Sequence, residues 1–239
     1  MSLTPSRPSS FQLASDDVHS WCASLDVSPE TSARLYATLT PDERTRSARF
    51  RFERDRQRFI VARGVLRDLL GRYLQTQPGH LRFAYNAFGK PDLSPEFGNR
   101  LNFNLSHSAG RALIAIATAS NAGVDLEYIR AQSEYADIAR RFFSTAEVDY
   151  LSALPSHLYA EAFFSCWTKK EAYLWILLSI FMSPQRIRFQ PRAGRSIPSD
   201  LLRAMPGHWP LTELAGAYVN GSGRCLNVSS EQVRRIMSL

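Results

Sequence analysis

Two carboxylates two residues apart are the first residues in this chain with a spacing suited to chemistry. Asp125 and Glu127 lie in Gly123-Val124-Asp125-Leu126-Glu127, a run that reads as extended. Alternate residues of a strand share a face, so the two side chains point the same way at roughly 7 Å spacing. A third acid, Glu171, follows in Trp167-Thr168-Lys169-Lys170-Glu171-Ala172, which reads as helix. Three oxygen ligands with no accompanying Cys or His pair suit a hard cation such as Mg2+, which keeps waters and substrate phosphates in its shell. An acid pair on a strand, taken alone, is more often a solvated face. The motifs around it decide otherwise.

The elements that must position these acids follow from the hydrophobic pattern. Residues 18–27 read as a first strand ended by Pro29, with Val18, Trp21 and Leu25 as buried positions. Thr40-Pro41-Asp42-Glu43 has the form of a helix start, a capping residue with Pro at the first helical position and acids in the first turn. The helical stretch that follows carries seven arginines in fifteen residues, Arg44, Arg46, Arg49, Arg51, Arg54, Arg56 and Arg58. A core-facing stripe continues through Ile60, Val61, Val65, Leu66, Leu69, Leu70 and Tyr73 until Gln77-Pro78-Gly79 breaks it. Leu81 and Phe83 begin a short strand, Asn86 to Pro91 a turn, and Leu101 to Leu105 alternates as a half-buried strand. Ser106 to Gly110 reads as a loop, and 112–118 as a central strand. Past the acidic strand the pattern turns helical over 135–143, 145–154 (with Ser144-Thr145-Ala146-Glu147 as a capping signal) and 161–182, and 187–189 resembles a strand. The class is α+β, with a soft boundary near 119–122.

Composition sets the outer limits. The 239 residues are 44% hydrophobic, enough for a substantial core, and carry a net charge of +7. The cations are mostly Arg, suited to bidentate recognition of phosphate or carboxylate, so an anionic partner is expected. Cys22, Cys166 and Cys225 are scattered without metal-ligand spacing, as in a reducing compartment. Residues 1–17, rich in Ser and Pro, read as a loose, disordered tail without a signal-peptide pattern. The only long apolar run, 173–182, is too short to cross a bilayer. The expectation is a cytoplasmic protein that binds no membrane.

Asn104-Leu105-Ser106-His107-Ser108, Gly123-Val124-Asp125-Leu126-Glu127 and Trp167-Thr168-Lys169-Lys170-Glu171-Ala172, together with the upstream turn Phe88-Gly89-Lys90-Pro91, give the chain a resemblance to a known family. It resembles the 4′-phosphopantetheinyl transferases, in their longer, pseudo-dimeric branch (the surfactin-synthetase-activating type), over most of its length. The resemblance implies two pseudo-twofold-related α/β subdomains, 18–120 on the coenzyme A side and 121–239 carrying the metal-binding acids, with the active site in the cleft between them. It implies a monomer that transfers the phosphopantetheine arm of coenzyme A to a serine of an apo acyl or peptidyl carrier protein in secondary metabolite biosynthesis, releasing adenosine 3′,5′-bisphosphate. Asp125, Glu127 and Glu171 match the Mg2+ ligands, Glu171 also the base for the incoming serine, and Lys170 the lysine preceding that glutamate. Ser106 and His107 match positions contacting the nucleotide end of coenzyme A. Lys90, Arg46 and Arg58 match basic positions near its phosphates. The phosphoryl-transfer chemistry agrees, since charge on the phosphate oxygens must be neutralised and the nucleophile's proton removed.

One segment departs from that pattern. Where the family keeps a lysine four residues after the glutamate, then glycines, this chain has Trp175 and the glycine-free Ile176 to Phe181. Positions i and i+4 share a helix face, so a ring takes the place of a cation beside Glu171, and the helix should continue instead of turning. A homologue that is catalytically weakened but still binds coenzyme A or a carrier protein is the alternative expectation. A basic nucleic-acid-binding domain, suggested by a pI near 9.6, ranks last because the acids would repel a phosphate backbone and no nucleic-acid motif is present.

Overall fold

The computed structural model describes residues 11–13, 18–85, 89–98, 101–118, 122–129, 134–181, 214–219 and 225–227, with side chains up to 172. By internal packing the chain divides into two units, Met1–Tyr85 with Pro91–Ser120, and Asn86–Lys90 with Asn121–Leu239.

The first unit is a helical layer on an antiparallel sheet. Its strands β1 (Val18–Ser24), β4 (Asn102–Ser108) and β5 (Arg111–Ala117) are ordered β1-β5-β4, while β2 (Phe83–Tyr85) and β3 (Pro91–Leu93) form a separate pair. Central strand β5 is sealed on both faces, and Ala112 to Ala117 are all fully buried, which explains its unbroken apolar run. Helix α3 (Glu53–Leu74) covers it, and α1 (Pro29–Ala37) and α2 (Pro41–Ala48) pack against α3. Leu66, Leu69 and Leu70 of α3 form one core with Phe103, Ile114 and Ile116. Where α3 crosses α1, a Cβ on Gly64 would lie 2.6 Å from Leu35 Cβ, so the close crossing requires glycine.

The second unit places β6 (Gly123–Tyr128) parallel to β7 (Leu214–Val219), with β8 (Cys225–Asn227) antiparallel beyond it. Helices α4 (Tyr135–Phe142) and α5 (Thr145–Ala153) precede α6 (Ser156–Phe181), which packs on β6 and β7. Tyr135, Phe143, Phe163 and Phe164 are its aromatic core, with Trp167 packed against Phe163.

Several expectations change. The stop at Pro29 is a helix start instead: Ser28 Oγ accepts from Thr31 N at 3.3 Å and Pro29 sits in the first turn of α1, where its missing N–H is harmless. The arginine-rich stretch is two helices broken at 49–52, because Phe52 in an extended conformation caps α3. Ser106 to Ser108 belong to β4, paired with β5, since the turn is confined to Ala109 and Gly110 at φ +45° and +78°. Helix α6 starts at 156, five residues earlier than the pattern indicates. Phe11, assigned to the loose tail, stacks on Trp21 at 5.6 Å. The strand expected at 187–189 lies outside the described residues.

Candidate functional site

In the second unit, β6 supplies Asp125 and Glu127 and α6 supplies Glu171. Asp125 is buried at 8% exposure, while Glu127 and Glu171 are half-buried. Glu171 records their proximity: burial, then the charges of Asp125 and Glu127, push its carboxyl up to about 7. Three partly buried acids repelling one another form a set that a hard dication would stabilise. As placed, the side chains do not form a ready-made cage, since no group of three or more His, Cys, Asp or Glu among the described residues could hold a metal ion. The donor set fits Mg2+ in kind.

Helix α6 is oriented by the residues flanking Glu171. Ala172 and Thr168 are buried, and Thr168 Oγ1 donates to Phe164 O at 2.9 Å. Lys170, expected to act beside Glu171, is 1% exposed and points elsewhere: its Nζ lies 3.0 Å from Glu147 Oε2 and 5.3 Å from the Phe143 ring centroid. Glu147 Oε2 accepts from Ser144 N at 2.7 Å and Ser144 Oγ at 2.9 Å, and Cys166 Sγ donates to Glu147 Oε1 at 3.3 Å. Burial raises the Glu147 carboxyl, but the Ser144 N–H and the Lys170 ammonium outweigh it and hold it below the usual range. Burial likewise pushes the Cys166 thiol far up, which leaves it unreactive. The capping pattern at Ser144–Glu147 is legible in the sequence; its partnership with Lys170 is not.

Of the cationic residues expected near phosphates, Arg46 and Arg58 lie in the first unit and Lys90 in the second. Exposed Arg46 lies over the rings of Phe59 and Tyr85 at 5.6 and 5.9 Å. It lines a cleft of about 640 Å³ with Asp42, Glu43, Thr45, Arg49, Phe50 and Tyr85. Glu43, 3% exposed, accepts a hydrogen bond from Arg67 Nε at 2.7 Å and forms an ion pair with Arg63, whose Nε is 3.6 Å away. Burial holds the Arg63 guanidinium below its usual range.

Arg58 takes a different place from the one expected near phosphates. Its Nε and Nη2 both donate to the Asp26 carboxylate at 2.8 Å, and hydrogen bonding to Arg58 holds Asp26 below the usual carboxylate range. The pair closes over Gly110, where a Cβ would lie 2.5 Å from Asp26 Oδ2 and 2.9 Å from Arg58 Nη2. Leu25 N donates to Gly110 O at 2.8 Å. Arg58 thus braces the β4–β5 turn. On β4, His107 is exposed and Ser106 half-buried; as strand neighbours they project to opposite faces. Half-buried Lys90 follows Gly89 at φ +76°. Asp26 and Arg63, and the pairing of Glu147 with Lys170, escape sequence reasoning because the partners are distant in the chain.

Comparison with known proteins bears on both units. Residues 25–120 match a family model described as "4'-phosphopantetheinyl transferase, N-terminal", and 121–221 one described as "4'-phosphopantetheinyl transferase superfamily". The chain is 43% identical over 169 residues to the 4′-phosphopantetheinyl transferase HetI of a Nostoc species, covering 70% of this chain and 71% of that one. Against the 4′-phosphopantetheinyl transferase Sfp of Bacillus subtilis it is 29% identical over 148 residues, 62% of this chain and 64% of the other. Against the human L-aminoadipate-semialdehyde dehydrogenase-phosphopantetheinyl transferase it is 25% identical over 162 residues, 64% and 52% of the respective lengths.

Proposed function

The chain belongs to the 4′-phosphopantetheinyl transferase superfamily, and from that premise we propose that it moves the phosphopantetheine arm of coenzyme A onto a serine of an apo carrier protein. The observation that carries this reading is the cluster of Asp125, Glu127 and Glu171, in which the neighbouring acids and burial hold the Glu171 carboxyl near 7. The serine hydroxyl attacks the phosphorus that bears the pantetheine arm. Its P–O bond to the leaving adenosine 3′,5′-bisphosphate breaks as the new P–O bond forms, and the hydroxyl proton passes to Glu171. Asp125, Glu127 and Glu171 would hold Mg2+, which when bound neutralises charge on the pyrophosphate oxygens. Arg46 and its cleft, with Lys90, Ser106 and His107, would hold the nucleotide end of coenzyme A.

Loss of Asp125 tests the assignment. Asp125→Ala is expected to lower the Mg2+-dependent release of adenosine 3′,5′-bisphosphate by at least about 10²-fold, with the fold retained. Unaltered release would remove the metal assignment.

A second reading, the weakened homologue, is favoured by one observation. Helix α6 runs without interruption from Ser156 to Phe181, so the stretch after Glu171 is continuous helix where the family sequence has glycines. In that reading the chain binds coenzyme A or a carrier protein with weakened turnover.

A further inference from the structure

We propose that Lys170 and Glu147 act as a positioning pair: the buried bridge between α6 and the start of α5 fixes the rotation of α6 that turns Glu171 toward Asp125 and Glu127. Successive helix residues point about 100° apart, so Lys170 and Glu171 cannot face the same neighbour. The structure separates them accordingly. Lys170 enters the interior at 1% exposure, its Nζ 3.0 Å from Glu147 Oε2 and over the Phe143 ring, while Glu171 lies on α6 where that helix packs on β6, close enough to Asp125 and Glu127 for their charges to act on it.

The anchor on the α5 side is itself fixed. Glu147 is the third residue of α5, and its Oε2 is held by both the N–H and the Oγ of Ser144, at 2.7 and 2.9 Å. Its other oxygen receives the Cys166 thiol at 3.3 Å, from α6 one turn before Lys170. Two contacts from one face of α6 thus converge on a single carboxylate locked to a helix N-terminus. A directional link of this kind resists rotation of α6 about its axis, which apolar packing on the Phe163 and Trp167 rings resists less. Glu171 would be carried away from Asp125 and Glu127 by such a rotation. A buried pair often adds little net stability, so orientation is the more specific effect to expect of it.

This rests on the assignment of the three acids as cation ligands, and the test separates the two claims. Mn2+ binding is measured by electron paramagnetic resonance on the full chain with coenzyme A, alongside turnover with a carrier protein. Glu147→Gln and Lys170→Met are expected to weaken Mn2+ binding about tenfold and lower kcat, with the KM for coenzyme A within about twofold of wild type. Lys170→Arg, which keeps the charge, should retain most of both. Should a single variant fail to fold, the Glu147→Leu/Lys170→Met double variant carries the test, because it buries no unpaired charge. Weakened Mn2+ binding in that folded double variant supports the proposal. Wild-type Mn2+ affinity and kcat in any folded variant lacking the bridge would overturn it. Absence of Mn2+ binding in the wild type would instead overturn the cation assignment.

Discussion

Glu171 is the residue in which the electrostatics of the second unit are most concentrated. Its folded-state value near 7, against an ordinary 4.5, means that the folded chain keeps a proton the unfolded chain has already lost. Between those values the folded state binds more protons, so this group's contribution to stability falls as pH rises. Below 4.5 and above 7 it is level. Glu171→Gln has no such titration, so in metal-free buffer its urea midpoint should gain on wild type from pH 4.5 to 7 and hold that gain above. Parallel curves would show that Glu171 is not crowded by its neighbours. Another single-residue test concerns Gly110, whose φ of +78° and contact with the Asp26–Arg58 pair leave no room for a Cβ. Gly110→Ala should cost about 1–3 kcal/mol in urea denaturation. No change would mean that the brace is not formed. The acids themselves are legible from the strand alternation and the motif order, whereas the roles of Arg58 and Lys170 are not. Both are long cations whose partners, Asp26 and Glu147, are 32 and 23 positions away, and no local pattern encodes such a pairing.

At the scale of elements, the helix that carries Glu171 decides how the site is presented. Its backbone is continuous through 181, as expected of a segment without glycine or proline after Ala172. Trp175 stands one turn beyond Glu171 on the same helix face. Trp175→Lys would return a cation to that face, and kcat should rise on the order of tenfold, the worth of one charge-assisted contact. An unchanged or lower kcat would show that the tryptophan position does not limit transfer. Element types were readable wherever one period persists, as in α3 and in β5. Boundaries were harder. Helix α1 was hidden because Pro29 reads equally as a strand stop and as a first-turn residue, and its N-cap Ser28 is distinguished only by its bond to Thr31. The β6–β7 parallel pairing joins segments about ninety residues apart, beyond the reach of periodicity.

For the whole molecule, the two family models match 25–120 and 121–221 in sequence order, and packing likewise separates the chain near 120. The cleft lined by Arg46 belongs to the first unit and the three acids to the second. The central claim is that together they transfer phosphopantetheine, and intact-mass spectrometry of an apo carrier protein incubated with this protein, coenzyme A and Mg2+ tests it most directly. The account predicts a carrier heavier by one phosphopantetheine arm, with the gain lost in Asp125→Ala. An unchanged carrier mass across several carriers, with coenzyme A still bound, would contradict it.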